Sequence, residues 1–260
     1  AMDTVEGLLQ LQNIMNLQSQ AWAEQIEEQS KLSNFLWDAQ QQPYELNERI
    51  IPDSSWLKID LNKIELPSLL QVIEEASMSH PKLKALEFKT DMLQVERQYK
   101  VQNLLPTFRV NYNFLNKGYQ FSNPINQSLY SNNYKAGVQF GLPLFLRQAR
   151  GDLKQANLKI ELQKEEIKQV KLEIENKIKK YYAELVAFKN QQVLTNISVD
   201  NARKLLDAEF QRFEIGESSL FLVNNRELKY IELLLKSYEL KSKFFKTLVA
   251  LNWAKGAVYQ

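Results

Sequence analysis

The chain has no cysteine, and its single histidine is His80. A disulfide framework and a thiolate site are thereby excluded, while the compartment stays open, because a periplasmic protein can also be free of cysteine. Apolar runs are short. None approaches the roughly 20 residues that a spanning helix needs, and AMDTVEGLLQ lacks the basic head of a signal peptide. Ala1-Met2 reads as a cleavage remnant before an internal start, so the chain is expected to be a piece of a longer protein. There is also no excess of charge: 33 Lys+Arg against 31 Asp+Glu leave +2, with the two signs interleaved, which gives no footprint for nucleic acid. No phosphate-binding loop, Gly-rich dinucleotide turn or metal-ligand spacing is present.

Enzymatic chemistry finds little to work with. His80 directly precedes Pro81 and reads as a helix-start residue rather than a general base. The pairs Glu27-Glu28, Glu74-Glu75 and Glu165-Glu166 are adjacent, so on a helix they point about 100° apart and form a solvated face. Four scattered methionines make no soft-metal relay, and Met78 and Met92 are expected to fill core. No catalytic residue, metal or cofactor is expected.

What the chain does have is 44% hydrophobic residues, enough for a core, divided by only seven glycines and seven prolines. Residues 3–41 are Gln-rich, with Leu8, Leu11, Met15, Ala21, Trp22, Ile26 and Leu32 at mostly helical intervals, and predict one amphipathic helix. In QQPYELNERIIPDSSWLKIDLNKIELPS that periodicity collapses around Pro43, Pro52 and Pro67, an irregular connector whose Tyr44, Ile50, Trp56 and Leu61 suit packing on something else. Helical spacing returns through Val72, Ile73 and Ala76, breaks at SHP, and resumes to Leu105 before Pro106.

TFRVNYNFL then alternates without error. Phe108, Val110, Tyr112 and Phe114 fall on one side and Thr107, Arg109, Asn111 and Asn113 on the other. A polar loop from Asn116 to Asn133 leads to a second alternating run, Tyr134, Ala136, Val138 and Phe140 against Lys135, Gly137, Gln139 and Gly141, which predicts a β-hairpin closed by GLPLF. Tyr119, Phe121, Tyr130 and Tyr134 gather near the loop like an interfacial girdle, and runs of about 9 residues are long enough to cross a bilayer at a tilt. A hairpin resting on a soluble bundle would alternate equally well.

The next segment weighs for the membrane. Between Gly151 and Gly216 there is no glycine or proline, and apolar residues recur 3 or 4 apart. An uninterrupted helix there would span about 95 Å, and the run from Glu217 to Lys255 about 58 Å. Joined at RFEIGESS, the two predict a long antiparallel hairpin with a heptad-like seam.

LPTFRVNYNF, AGVQFGLPLF, the long helix and RFEIGESSLFLVNNRE together resemble the second structural repeat of the outer-membrane efflux proteins, the TolC-like channel subunits. The spacing of Arg212, Phe213, Gly216 and Ser219 is the most specific part, and SHPKLKAL and GLPLF agree with it. The resemblance implies a mainly α fold: a long antiparallel helical hairpin or coiled-coil bundle carrying one amphipathic, transmembrane-type β-hairpin, half of a TolC-like protomer. Residues 1–41 then match the returning helix of a truncated first repeat, 42–66 the equatorial connector, 67–105 the helical segment leading to the barrel, 106–142 the outer-membrane hairpin and 143–260 the periplasmic helical hairpin with its tip at 212–219. With two of a protomer's four strands, the chain is not expected to close the family's barrel by itself.

The resemblance further implies a passive exit duct for efflux or type I secretion: a homotrimer in the full-length protein, set in outer-membrane lipid and reaching into the periplasm, joined by a periplasmic adaptor to an inner-membrane pump. Phe108, Val110, Tyr112, Phe114, Tyr134, Val138 and Phe140 would face lipid, and Arg109, Asn111, Asn113, Lys135 and Gln139 the lumen. Arg212, Phe213, Gly216, Glu217, Ser218 and Ser219 would dock the adaptor. In local terms Gly216 equally fits a helix stop, with Ser218 or Ser219 as the next N-cap. Where some relatives place gating aspartates six and nine residues after the tip glycine, this chain has Leu222 and Asn225, so a constriction in the stretch of Leu220, Phe221, Leu222 and Asn225 is expected to be apolar, built by Leu220, Phe221 or Leu222. The alternative is a soluble coiled-coil scaffold or a periplasmic adaptor. An adaptor would flank its hairpin with β-rich, Gly-containing halves, and a scaffold has no use for strands with a lumen-like polar face.

Overall fold

The computed structural model describes residues 2–44, 46, 50–114, 134–141 and 145–257, the side chains of Met2, Asp3, Phe114 and Tyr134 excepted. Its elements are α1 (Met2–Ser33), α2 (Leu69–Ser79), α3 (Pro81–Gln102), β1 (Thr107–Phe114), β2 (Tyr134–Gly141), α4 (Arg147–Glu214) and α5 (Leu220–Ala254). Two compact units divide them: residues 72–176 with 255 onward, and residues 1–71 with 177–254. Helix α4 contributes to both, and its 68 residues rise about 100 Å.

Within the unit of residues 72–176, α3 begins where His80 caps it, its Nδ1 accepting from the Lys82 N–H at 3.1 Å while Pro81 takes the first turn. Polar pairs then align α3 antiparallel to α4. Lys89 meets Glu166 (3.3 Å), Glu96 meets Lys159 (3.0 Å), Arg97 Nε donates to Asn157 (2.8 Å) and Lys100 meets Asp152 (3.4 Å). Exposed ion pairs contribute little individually, but these three with the Arg97–Asn157 hydrogen bond hold one register. Leu83, Ala156, Val170 and Ile174 form the interior with Val72 and Ala76 of α2.

Met78 and Met92 do not fill that core: they are 81% and 72% exposed. Helix α4 engages the stripe of Lys89, Glu96 and Lys100, and Met92 lies one residue round the helix, on a face with Phe88, Val95 and Tyr99 that nothing among the described residues covers. After α5 the chain turns through Gly256 (φ +80°), where an added Cβ would stand 2.7 Å from Pro81 Cδ and 3.0 Å from His80 Cα. Only glycine combines that backbone conformation with so close an approach.

Strands β1 and β2 pair antiparallel, with Phe108 opposite Phe140, Val110 opposite Val138 and Tyr112 opposite Ala136, while Arg109 faces Gln139 and Asn113 faces Lys135. One face of the hairpin therefore carries the apolar residues and the other the charged and amide residues, as the alternation predicted. The side chains described on both faces are exposed except Gly141, which is half-buried. The segments 115–133 and 142–144, with Tyr119, Phe121, Tyr130 and most of GLPLF, lie outside the described residues.

In the other unit α4 and α5 run antiparallel, as residues 192 and 196 meeting 237, and 209 meeting 226, require. Helix α1 runs alongside α5 in the same direction: Gly7 lies beside Leu220 and Gln10 donates to Glu227. It stops at Ser33 rather than running on to residue 41. There Asp38 takes over the backbone, its Oδ1 accepting from the N–H groups of Gln40 (2.9 Å) and Gln42 (2.8 Å), with Gln41 at φ +60° and a bridge between Trp37 and Pro43. An Asp side chain offering such bonds competes with the helix.

The connector forms two 3₁₀ turns, Ser55–Lys58 and Leu61–Lys63. Leu61 is buried, Trp56 meets Phe245 edge-on at 6.2 Å, and the ammonium groups of Lys189 and Lys241 donate to the carbonyls of Ile64 and Leu57. The connector thus packs on α4 and α5.

Candidate functional site

The seam of α4 is built on strict seven-residue intervals. Ile160, Ile167, Ile174, Tyr181, Phe188, Thr195, Ala202 and Glu209 form one column, all buried or half-buried. Ile178, Leu185, Gln192, Val199 and Leu206 form a second. A repeat of seven slips against the 3.6-residue turn of a straight helix, the spacing that suits left-handed winding of helices packed along it. Polar side chains interrupt this seam. Gln192 Nε2 donates to Asn196 Oδ1 and Ser237 Oγ, both at 2.7 Å, and the Ser237 hydroxyl donates to Asn196 at 3.1 Å. Such a layer has few alternative partners one turn away, so it sets the register of α4 against α5.

At the end of the hairpin the chain reverses between Glu214 and Leu220. The Glu217 N–H donates to Arg212 O (2.9 Å) and the Gly216 N–H to Phe213 O (3.0 Å), with Gly216 at φ +79°. That pair of bonds around a left-handed glycine is a Schellman motif, which satisfies carbonyls the helix would otherwise leave unpaired. Ser219 starts α5, its carbonyl accepting from Leu222 and Val223 and its hydroxyl from the Leu222 N–H at 3.4 Å. Gly216 is thus the helix stop and Ser219, not Ser218, the cap.

Ser218 bonds elsewhere. Its hydroxyl donates to Glu209 Oε1 at 2.6 Å, and the same carboxylate lies 3.9 Å from Arg212 Nη1 and, through Oε2, 3.6 Å from Arg226 Nε. Glu209 is only 7% exposed. The Ser218 hydroxyl, with the two guanidiniums behind it, outweighs burial and holds the Glu209 carboxyl below its ordinary value of 4.5, so it is charged at neutral pH. An apolar count along the seam passes over Glu209, although it stands seven residues after Ala202 and three before Arg212.

Around this polar centre the tip exposes Phe213, Ile215, Phe221 and Leu222, together with Glu217 and Asn225, while Leu220 is half-buried. The structure brings Arg212 to Ser219 together in one turn, and Leu220, Phe221, Leu222 and Asn225 into the first turns of α5. Among the described residues no group of acidic and histidine side chains is arranged to hold a metal, and no helix is long and apolar enough to cross a membrane.

The profile of the family described as outer membrane efflux protein matches residues 72–226, more than half of the chain. The chain belongs to the outer membrane efflux protein family. Its place is accordingly the outer membrane, with a helical extension into the periplasm, and proteins of this family are transport components rather than enzymes.

The fold is shared with solved structures at low identity. An open-state outer membrane channel, MtrE of Neisseria gonorrhoeae, superposes with a TM-score of 0.74 at 13% identity, over 98% of this chain and 56% of that one. A membrane protein from Pseudomonas aeruginosa gives 0.71 at 14% identity, over 95% and 56%. The outer membrane protein VceC of Vibrio cholerae gives 0.58 at 15%, over 76% and 47%. The chain thus spans about half the length of these three proteins. Among curated protein sequences, none matches it.

Proposed function

We propose that this chain is half of a subunit of a trimeric outer-membrane channel, the passive exit duct of a tripartite efflux or type I secretion system. The observation that carries the reading is the register of β1 and β2, which sorts the apolar and the polar side chains onto opposite faces of a hairpin exposed on both. A two-stranded hairpin of that kind is marginal in water. Eight residues per strand at about 3.4 Å each give roughly 27 Å before tilt, close to the apolar band of about 25 Å on outer-membrane barrels. In this reading Phe108, Val110, Tyr112, Val138 and Phe140 meet lipid, and Arg109, Asn111, Asn113, Lys135 and Gln139 line the lumen. The pump, reached through an adaptor, selects the exported substrate. Separating the membranes of cells expressing the full-length protein and weighing the detergent-extracted complex is the test. A trimer in the outer membrane is expected; a soluble or monomeric product would replace the duct with a helical scaffold.

The hairpin tip, Arg212 to Ser219, docks the helical hairpin of the adaptor, and the exposed Phe213, Ile215 and Phe221 give it an apolar surface to do so. Leu220, Phe221 and Leu222 with Asn225 narrow the duct at the same level. An apolar constriction has no carboxylate to hold a divalent cation. Replacing Glu217 by Gln is therefore expected to leave the conductance of the reconstituted full-length channel, and its response to millimolar divalent cations, unchanged; a cation block that the substitution removes would assign the gate to Glu217 instead.

A further inference from the structure

Resting on the docking role of the tip, we propose that Glu209 is its positioning residue: one carboxylate ties Ser218 of the turn and Arg212 and Arg226 of the two helices into a fixed docking face. Its partners come from α4, from the turn and from α5, the three segments that a docking face at the tip must hold together.

Its setting argues that stability is not what a carboxylate brings here over an apolar residue. Every other member of the column from Ile160 to Ala202 is uncharged, and a carboxylate taken out of water at such a position is a poor source of stability even when paired. A leucine there would continue the seam. What the carboxylate provides is direction. Arg212 and Arg226 are 58% and 46% exposed, and each brings a single nitrogen near Glu209, Nη1 at 3.9 Å and Nε at 3.6 Å, so the rest of each five-donor guanidinium can serve acceptors on a partner. Ser218, held at 2.6 Å, keeps the turn from swinging away from α4.

The test separates position from stability with Glu209→Leu, Glu209→Gln and Ser218→Ala in the full-length protein. Amide exchange of Glu217 and Leu222 reports the turn, that of Leu240 reports the seam, and the adaptor that cross-links to the wild-type protein serves as the docking probe. Glu209→Leu is expected to leave the denaturation midpoint unchanged or raised and Leu240 protected, while the tip amides exchange about tenfold faster and docking weakens about tenfold, because two guanidiniums lose their counter-charge. Glu209→Gln keeps an acceptor for Ser218 and should weaken docking with less effect on the turn; Ser218→Ala should do the reverse. Phe213→Ala, at an exposed position outside the cluster, tests the docking reading itself. If Phe213→Ala weakens docking and the Glu209 variants do not, Glu209 has no positioning role and the proposal falls alone. If none of the four variants affects docking, the tip is not the docking site and the proposal falls with that reading. A loss of global stability in Glu209→Leu parallel to the loss of docking would make Glu209 an ordinary structural residue and overturn the proposal.

Discussion

Changing Val110 and Tyr112 together to Arg in the full-length protein should abolish assembly in the outer membrane. Both lie near the middle of β1 on the face that carries Phe108, and their partners across the hairpin, Val138 and Ala136, share that face. On a lipid face each arginine costs about 2–4 kcal/mol near the midplane, so the pair removes roughly 4–8 kcal/mol. A folded domain holds only about 5–15 kcal/mol in total. In water the outcome would be different: both side chains are exposed here, and surface substitutions ordinarily change stability by no more than about 0.5 kcal/mol. Asn113→Arg, on the opposite face and paired with Lys135, adds one arginine where a wet lumen would tolerate it. Membrane fractionation and the mass of the extracted complex compare the variants. Loss of the trimer in the double mutant with retention in Asn113→Arg is the expected pattern, and normal assembly of both would remove the hairpin from the membrane.

The hairpin was legible because strand side chains alternate with a period of two, so a single strand announces both of its faces. The long helices were equally open to reading: without glycine or proline to interrupt them, 3.6-residue spacing is the dominant signal, and α4 and α5 appear with their reversal at Gly216. That glycine turned out to be the left-handed residue of a helix stop. The least visible features were polar. Gln163, Gln192, Thr195 and Glu209 occupy buried positions of α4 that an apolar count passes over, and the partner of Gln192 across the seam, Ser237, lies 45 residues further along the chain.

Ends and coverage were the other gap. Helical spacing alone does not reveal that Asp38 captures two backbone N–H groups and fixes a turn, so the first helix read too long. Nor does an apolar residue in a helix identify what covers it. Residue type places Met92 in the core, yet α4 takes the neighbouring polar stripe of α3 and leaves it outside. The connector was readable as a packing segment from Trp56 and Leu61, but not the two lysines that fasten it, since their acceptors are backbone carbonyls with no mark in the sequence.

Truncating Phe244 to Ala should cost about 3–5 kcal/mol, as for other fully buried phenylalanines, a transfer loss enlarged by the cavity left behind. Phe244 has no exposed surface, and its ring meets Phe245 edge-on at 5.6 Å. Phe245 in turn meets Trp56 of the connector. A cavity at Phe244 therefore acts twice: it weakens the packing of α5 and frees Phe245 to shift away from Trp56. Denaturant unfolding of the full-length protein gives the first effect, and the emission of Trp56, with the other tryptophans replaced, gives the second. Trp56→Ala, at a half-buried position, should cost less than Phe244→Ala, and the double mutant less than the sum, because the residues act through one aromatic chain. A loss below about 1 kcal/mol for Phe244→Ala would mean that the helices do not pack in this register. Additive losses would mean that the connector is held by Leu61 and the lysines alone, with the aromatic contact contributing nothing to its place on α5.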